Sequence, residues 1–278
     1  MRTFLGVLTL VVVATLGVAA PSNADGLLPQ LPTAPEGDLA GVNDWSCRPT
    51  ARRPTPVILV HGTFGDRRHL LEKLATAMMG KGFCVFSLDY GNRGVQEISR
   101  SARQLKAFTQ RVRRATGAAK VSMVGHSQGG MMPRHYIKFL GGARHVDDLI
   151  GIAPSNHGTS HTGGGGANLI SDLLGSLCRS CVQQGAGSDF LRRLNAGDET
   201  PGRVSYTQIT TKYDEVVVPH TSGYLTPGPR TTNVTIQGLC PSDLAEHIFI
   251  PLSRTTVAIT LDALTRHGPA RLSPALGC

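Results

Sequence analysis

Several features that would assign this chain to other protein classes are missing from its sequence. Downstream of the first two dozen residues, no apolar run approaches the ~18 residues that a membrane-spanning helix needs, so we expect no transmembrane anchor. The sequence has no internal repeat of the kind that builds a solenoid or a propeller. No nucleic-acid-binding motif accompanies its net charge of +9, so we expect no nucleic-acid partner. One non-repetitive globular domain is the class that remains.

The first 24 residues have the pattern of a secretory signal peptide. A positively charged start and an apolar stretch precede Ser22-Asn23-Ala24, which is an A-x-A-like cleavage site. Residues 25–45 are rich in proline and predict an N-terminal extension with little structure of its own. Residues 46–278 are then left for the folded domain. We therefore expect a secreted, extracellular chain.

The most informative motif is Gly125-His126-Ser127-Gln128-Gly129. It follows an apolar run with β-branched residues and precedes a segment with a helical pattern. In a G-x-S-x-G motif, a strand turns sharply into a helix and leaves the Ser hydroxyl exposed at the tip, in strained backbone angles. Gly125 and Gly129 would leave the room that this turn requires. The alternative is a Gly-rich turn with a solvated Ser; the strand and helix on either side favour Ser127 as a nucleophile.

A Ser nucleophile needs a His to accept its proton and a carboxylate to orient that His. In folds with this motif the three residues follow in the order Ser, Asp or Glu, His. A strand-like run at residues 204–211 ends shortly before Asp214. We predict Asp214 as the carboxylate, with Glu215 as the alternative because one residue of register decides between them.

The predicted base is His247. A second strand-like run at residues 232–237 precedes it, and the last predicted helix follows it. His220 is the main competitor among the ten histidines, but it lies only six residues after Asp214. That spacing would leave no strand between the acid and the base.

The third predicted component is an oxyanion hole, a set of N–H donors for the negative charge that develops on a carbonyl oxygen. Residues 56–60 form a continuous apolar run, typical of a buried parallel strand, and end in His61-Gly62-Thr63-Phe64-Gly65. A glycine turn at the carboxyl end of a strand lets backbone N–H groups point at the oxyanion. One donor would come from Thr63 or Phe64 and the other from Gln128. A plain strand-to-helix loop is the alternative for the His-Gly pair alone.

The remaining patterns alternate between strands and helices, which predicts an α/β fold with a mostly parallel central sheet and helices on both faces. Further predicted strands cover residues 84–90 and 146–153. Predicted helices cover residues 70–79, 95–116 and 255–266.

Three segments together resemble a known family: Val57-Ile58-Leu59-Val60-His61-Gly62-Thr63, the motif around Ser127, and Ala153-Pro154-Ser155-Asn156-His157-Gly158-Thr159. They are similar to secreted bacterial triacylglycerol lipases of the α/β-hydrolase fold, the class 2 lipase group, over roughly residues 45–278. The resemblance implies a catalytic domain at residues 46–278, with Ser127, Asp214 and His247 as the triad and Thr63 and Gln128 as the oxyanion donors.

The same resemblance implies a serine ester hydrolase, either a triacylglycerol lipase or a carboxylesterase. Its partner would be an ester lipid at a lipid–water interface, and we expect a monomer. No metal or organic cofactor is expected, because the mechanism needs none and the sequence has no clustered carboxylates for calcium. The alternatives are an extracellular acyltransferase or a cutinase-like polyester hydrolase with the same triad, and last a non-catalytic binding protein on this scaffold.

Six cysteines follow the signal segment, and an even number in an exported protein favours three disulfides. The sequence alone does not choose among the connectivities. A Cys47–Cys84 bridge would tie the N-terminal arm to the sheet. Cys178 and Cys181 have no second ligand pair for a metal site, which favours a local bridge and leaves Cys240 with Cys278. The family resemblance favours the same pairing.

Substrate contacts are expected between residues 158 and 194, together with Phe64. Four consecutive glycines, residues 163–166, form a flexible joint ahead of Leu169, Leu173 and Leu177, which share one face of a short predicted helix. That helix would form a small cap or lid insert whose apolar face lines an acyl pocket. The alternative is that this face packs on the core.

Overall fold

A single parallel sheet organises the chain. The structure, a computed structural model, describes residues 37–160 and 177–278. The predicted signal peptide, Leu169 and Leu173 lie outside the described residues. The sheet has six strands in the order β2-β1-β3-β4-β5-β6, and every neighbouring pair is parallel. The strands are β1 Val57–Val60, β2 Val85–Leu88, β3 Val121–His126, β4 Val146–Ile152, β5 Ser205–Thr210 and β6 Thr231–Thr235.

Helices connect these strands. The longer ones are α1 Glu72–Gly80, α2 Ile98–Thr116, α3 Gln128–Phe139, α4 Arg179–Gln183, α5 Asp189–Asn195 and α6 Arg254–Leu264. Short helical segments lie at Gly91–Gly94, Gly142–Arg144, His220–Gly223, Ile236–Gly238, Ile250–Leu252 and Pro274–Leu276. Within the described ranges, the structure contains no helix with the length and apolar character to span a bilayer.

Helices cover both faces of the sheet, as predicted. The side chains of Val57 and Leu59 pack in one buried cluster with α1 and α6. Ile58 and Val60 point to the opposite face and pack with α2 and α3. This alternation follows from the period of two in a β-strand. Because both faces are buried, β1 is a continuous apolar run.

Several predicted element boundaries differ from the observed ones by two or three residues, and two of these differences have a clear reason. The long helix begins at Ile98 and not at residue 95, because the backbone of Glu97 has a non-helical ψ of 130°. The last predicted strand ends at Thr235, where the backbone enters the short helix Ile236–Gly238. The β-branched composition of residues 232–237 extends past the point where pairing with β5 stops.

The end of the predicted extension packs on the free side of β2. Val42 is buried, and the backbone N–H of Asn43 donates to the Val85 carbonyl at 3.0 Å. The Asn43 side chain donates to the Ser87 carbonyl and accepts from the Ser87 N–H, each at 3.0 Å. Asn43 thus forms the hydrogen bonds that a further strand would form along part of this edge.

The described residues contain three disulfides: Cys47–Cys84, Cys178–Cys181 and Cys240–Cys278. These are the pairs that the sequence favoured. The first joins the N-terminal arm to the residue before β2. The second closes a three-residue span at the start of α4, where the sulfur of Cys178 accepts from the Cys181 N–H. The third attaches the C-terminus to the segment after β6.

Asp148 is a buried acid near the amino end of β4. Only 6% of the residue is exposed, and the Ser122 hydroxyl donates to its carboxyl group at 2.9 Å. Burial, and secondarily the neighbouring charge of Asp147, raises the pKa of Asp148 to about 7. The folded chain therefore keeps a proton that the unfolded chain releases near its ordinary value of 3.8.

We expect the Asp148→Asn variant to gain stability relative to the wild type as pH rises. The folded state binds the extra proton between about pH 4 and pH 7, so the wild type loses stability across that window, and the amide does not. Thermal unfolding from pH 4 to 8.5 measures the difference, which should grow to about pH 7 and then level. The control is Asp189→Asn, which removes a surface carboxylate whose side chain is 73% exposed and pairs with Arg192. Parallel curves of Tm against pH for the wild type and Asp148→Asn would contradict the raised pKa of Asp148.

Candidate active site

The carboxyl ends of the parallel strands meet at one edge of the sheet, and four of the loops that leave the sheet there carry predicted site residues. These loops follow β1, β3, β5 and β6 and carry, respectively, Thr63, Ser127, Asp214 and His247. Ligand sites in parallel α/β sheets lie at this edge. The topology therefore brings together residues up to 184 positions apart, from Thr63 to His247.

Ser127 lies in a sharp turn between β3 and α3. Its φ of 55° and ψ of −125° are unusual for a residue with a side chain. A Cβ atom on Gly125 would lie 1.8 Å from the Gly129 carbonyl oxygen, and one on Gly129 would lie 2.2 Å from the Val60 carbonyl oxygen. Both positions therefore require glycine, and the turn has the geometry that the motif predicts.

The side chains of Ser127, His247 and Asp214 form a hydrogen-bonded line. His247 Nε2 lies 3.1 Å from Ser127 Oγ, and His247 Nδ1 lies 2.9 Å from each carboxylate oxygen of Asp214. The exposed fractions of the His247 and Asp214 side chains are 3% and 1%. Water is thus excluded from the pair, and the imidazole has one nitrogen toward the acid and one toward the hydroxyl.

Backbone amides compensate for the burial of the Asp214 carboxylate. The N–H groups of Val216 and Val217 donate to Asp214 Oδ1 at 3.0 Å and 2.7 Å. The alternative acid, Glu215, is exposed and lies 3.4 Å from the backbone nitrogen of His247. The register of the loop therefore places Asp214, and not Glu215, against the imidazole. His220 begins a short helix outside the lining of the cavity at Ser127.

His126 holds the loop that carries His247. Its Nε2 donates to the His247 carbonyl oxygen at 2.8 Å, and the two rings lie 5.0 Å apart between centroids. Burial, assisted by the proximity of His247, lowers the pKa of His126 to about 3, so the ring is neutral at physiological pH. No local pattern predicts this contact, because the two residues are 121 positions apart.

The loop after β1 lies against the Ser127 turn. A Cβ atom on Gly62 would lie 3.0 Å from the Ser127 Cβ. The backbone N–H of Phe64 donates to the Arg93 carbonyl at 2.7 Å, so of the two predicted donors in this loop Phe64 is already engaged. Gln128 is the first residue of α3, where backbone N–H groups have no acceptor within the helix. Thr63 and Gln128 therefore remain the candidate oxyanion donors.

A cavity of about 340 Å³ opens beside Ser127 and His247. Its apolar wall consists of Phe64, Leu70, Val216, Val217 and Ile248. Its remaining lining residues are Gly62, Thr63, Gly65, His69, His126, Ser155, Thr159, Cys181 and Gln184.

Of the predicted pocket residues, Phe64 lines this cavity, whereas Leu177 is half-buried and does not. The sequence did not predict Val216, Val217 and Ile248 as cavity residues, although they follow the predicted triad acid and base within three residues. An apolar residue beside a catalytic loop position is the signal that could have identified them.

No group of three or more potential metal ligands occurs among the residues that the structure describes. His61 is buried and stacks on Tyr90 with a centroid distance of 4.2 Å. Burial lowers its pKa to about 4, so it is neutral, and its Nδ1 lies 2.7 Å from the Gly62 carbonyl oxygen. His61 therefore supports the shape of the loop after β1.

Comparisons with known proteins find lipases by family, by sequence and by structure. A family described as lipase (class 2) matches residues 54–248. Triacylglycerol lipases of Pseudarthrobacter phenanthrenivorans and Burkholderia plantarii are each 30% identical over 131 residues, which is 43% of this chain. These matches span only 37% and 33% of the two relatives' own lengths. The structure of Aspergillus fumigatus lipase B superposes with a TM-score of 0.70 at 22% identity, covering 86% of this chain and 57% of that one.

We expect Gly129→Ala to destabilise the protein strongly, because the new methyl group would meet two backbone carbonyls that cannot move aside, those of Val60 and His61. Overpacking of this kind costs about 3 kcal/mol or more, which corresponds to a fall in Tm of roughly 6–12 °C. Gly80→Ala is the matched control, since no atom lies within 4 Å of its added Cβ. Calorimetry of the three proteins gives the comparison. An unchanged Tm for Gly129→Ala would contradict the packing described for the turn.

Proposed function

This chain belongs to the class 2 lipase family and has the α/β-hydrolase fold, and on that basis we propose that it is an exported serine hydrolase that cleaves acyl esters. Ser127 is the nucleophile, His247 the general base and Asp214 the residue that orients it. The proposal rests mainly on the hydrogen-bonded line of these three side chains at the mouth of an apolar cavity. The named relatives, both triacylglycerol lipases, support acylglycerols as the substrate class.

In the first half of the reaction, Ser127 Oγ attacks the ester carbonyl and transfers its proton to His247 Nε2, 3.1 Å away. Asp214 accepts a hydrogen bond from Nδ1, which fixes the tautomer and stabilises the imidazolium that forms. His247 then gives the proton to the leaving alcohol. The acyl group remains bonded to Ser127.

Negative charge develops on the carbonyl oxygen in each tetrahedral intermediate. The backbone N–H groups of Thr63 and Gln128 are the proposed donors to that oxygen. Because the loop after β1 and the start of α3 are packed before substrate binds, these donors need no reorganisation in the transition state. Water activated by His247 then attacks the acyl-enzyme and releases the carboxylic acid.

The surroundings of the site suit an apolar acyl chain presented at a lipid surface. Val216, Val217 and Ile248 line the cavity. Leu244 and Phe249, on either side of His247, are 70% and 55% exposed. Exposed apolar side chains near a cavity mouth are typical of a surface that contacts lipid or a partner. We therefore propose that the enzyme acts at a lipid–water interface.

Export is supported by the disulfides and by the signal-like start of the sequence. Disulfides such as Cys47–Cys84 persist in oxidising, extracellular environments and are rare in the cytosol. Proteolytic removal of residues 1–24 is the corresponding maturation step.

Hydrolysis of glycerol esters of increasing acyl length, below and above their solubility limit, tests the function. We expect fatty acid release that depends on Ser127 and rises on emulsified long-chain esters, with Ser127→Ala as the inactive control. Activity confined to soluble short-chain esters would indicate an esterase instead of a lipase. No Ser127-dependent release from any ester would contradict the proposal.

A second prediction concerns the carboxylate. Asp214→Asn should lower kcat by about 10⁴-fold with the fold intact, because the amide no longer holds the imidazole in its productive tautomer. Glu215→Gln is the matched control, since the adjacent carboxylate is exposed and accepts from the backbone N–H of His247 at 3.4 Å instead of binding the imidazole. Steady-state kinetics on one soluble ester gives both values. A larger loss in Glu215→Gln than in Asp214→Asn would reverse the assignment of the two acids.

A further inference from the structure

One side chain outside the triad contacts both residues that are proposed to form the oxyanion hole. Gln184 Nε2 donates to Thr63 Oγ1 and to Gln128 Oε1, at 3.0 Å in each case. Thr63 follows β1 and Gln128 follows the nucleophile, so Gln184 joins two loops that are otherwise separate in sequence. A third acceptor, the Ser180 carbonyl on its own helix, lies 3.2 Å away.

The surrounding hydrogen bonds fix the orientation of both amides. The Ser155 hydroxyl donates to Gln184 Oε1 at 2.8 Å, which leaves the NH₂ group of Gln184 toward the two loops. Gln128 Nε2 donates to the Gly94 carbonyl at 2.9 Å and lies 3.3 Å from the Tyr90 hydroxyl. Its carbonyl oxygen therefore faces Gln184, and rotation of either amide would break several of these contacts.

The backbone of Gln184 is held by hydrogen bonds at both its N–H and its carbonyl group. It caps the end of α4, which begins at the Cys178–Cys181 disulfide. Its carbonyl oxygen accepts from the Thr159 N–H at 3.0 Å. Only 7% of the residue is exposed, and it also lines the cavity beside Ser127. An amide in such a rigid setting fixes the side chains that it binds.

We propose that Gln184 is a positioning residue for the oxyanion hole, acting through Thr63 and Gln128. By holding both side chains at fixed distances, it sets where their backbone N–H groups point relative to Ser127. The proposal rests on the function proposed above, because it requires Ser127 to form a tetrahedral intermediate. Gln184 would contribute in the transition state, when negative charge develops on the carbonyl oxygen. Its loss should therefore lower kcat.

Kinetics of Gln184→Ala and Gln184→Glu on a soluble ester test this role. A displacement of about 1 Å in catalytic groups can cost ~10²-fold, so we expect kcat to fall about 10- to 100-fold while KM changes little. Rates are expressed per active site titrated with a fluorophosphonate, which removes unfolded protein from the comparison. Gln183→Ala is the matched control: the adjacent amide accepts from the Ile98 N–H at 2.8 Å and lies outside the cavity lining. It should keep the wild-type kcat.

The Gln184→Glu variant adds a measurement of kcat against pH. A purely structural role of Gln184 would not make the ratio of variant to wild-type kcat depend on pH. An ionised carboxylate at position 184 cannot donate to Gln128 Oε1, whereas a protonated one can. The ratio of Gln184→Glu to wild-type kcat should therefore rise as pH falls. In addition, the loss caused by Gln184→Ala should shrink in a Thr63→Val background, because one of its two targets is already absent.

The outcomes distinguish a failure of the proposed ester hydrolysis from a failure of the positioning role of Gln184. If the wild type shows no Ser127-dependent hydrolysis, both fail. If the wild type hydrolyses esters and both Gln184 variants keep its kcat, only the positioning role is overturned. A loss confined to KM, or an equal loss in Gln183→Ala, would also overturn it. Should Gln184→Ala fail to fold, the pH dependence of Gln184→Glu decides alone.

Discussion

The close approach of two backbones at the Ser127 turn is the constraint on which the rest of the site depends. Gly129 lies so near the carbonyl oxygens of Val60 and His61 that no side chain fits between them. This contact joins the end of β1 to the start of α3, and so joins the proposed oxyanion donors to the proposed nucleophile, Ser127. The left-handed backbone of Ser127 is maintained by that packing and by the N–H bond from Ser127 to the Ile152 carbonyl at 2.8 Å.

Hydrogen bonds between loops fix the positions of the candidate site residues, which the sheet brings near one another. The parallel strands place the four loops with candidate site residues at one edge of the sheet. Strand pairing alone does not set the positions of their side chains to within tenths of an ångström. His126 fixes the His247 loop through its carbonyl, and the amides after Asp214 fix the carboxylate. Gln184 makes the corresponding connection on the opposite side of Ser127. The candidate site is thus pre-organised from both sides of Ser127.

The sequence predicted those parts of the fold and site that depend on local pattern. Buried parallel strands are apolar runs, and the turn at Ser127 has a glycine signature that local sterics impose. The proposed acid and base follow from chain order and strand count. In contrast, the contacts of Gln184 span 56 and 121 positions, and nothing local distinguishes this glutamine from its neighbour Gln183. The start of the helix at Ile98 was misplaced because the non-helical backbone of Glu97 has no signature in a sequence.

The covering of β2 by Asn43 has a consequence for the proposed action at a lipid–water interface. An exposed edge strand offers unpaired N–H and C=O groups to any other chain, and adsorption at an interface raises the local protein concentration. Along β2, the Asn43 amide occupies both backbone groups of Ser87, and the Cys47–Cys84 bridge keeps this arm in place. At an interface, this cover would hinder two adsorbed molecules from pairing their sheets along this part of the edge.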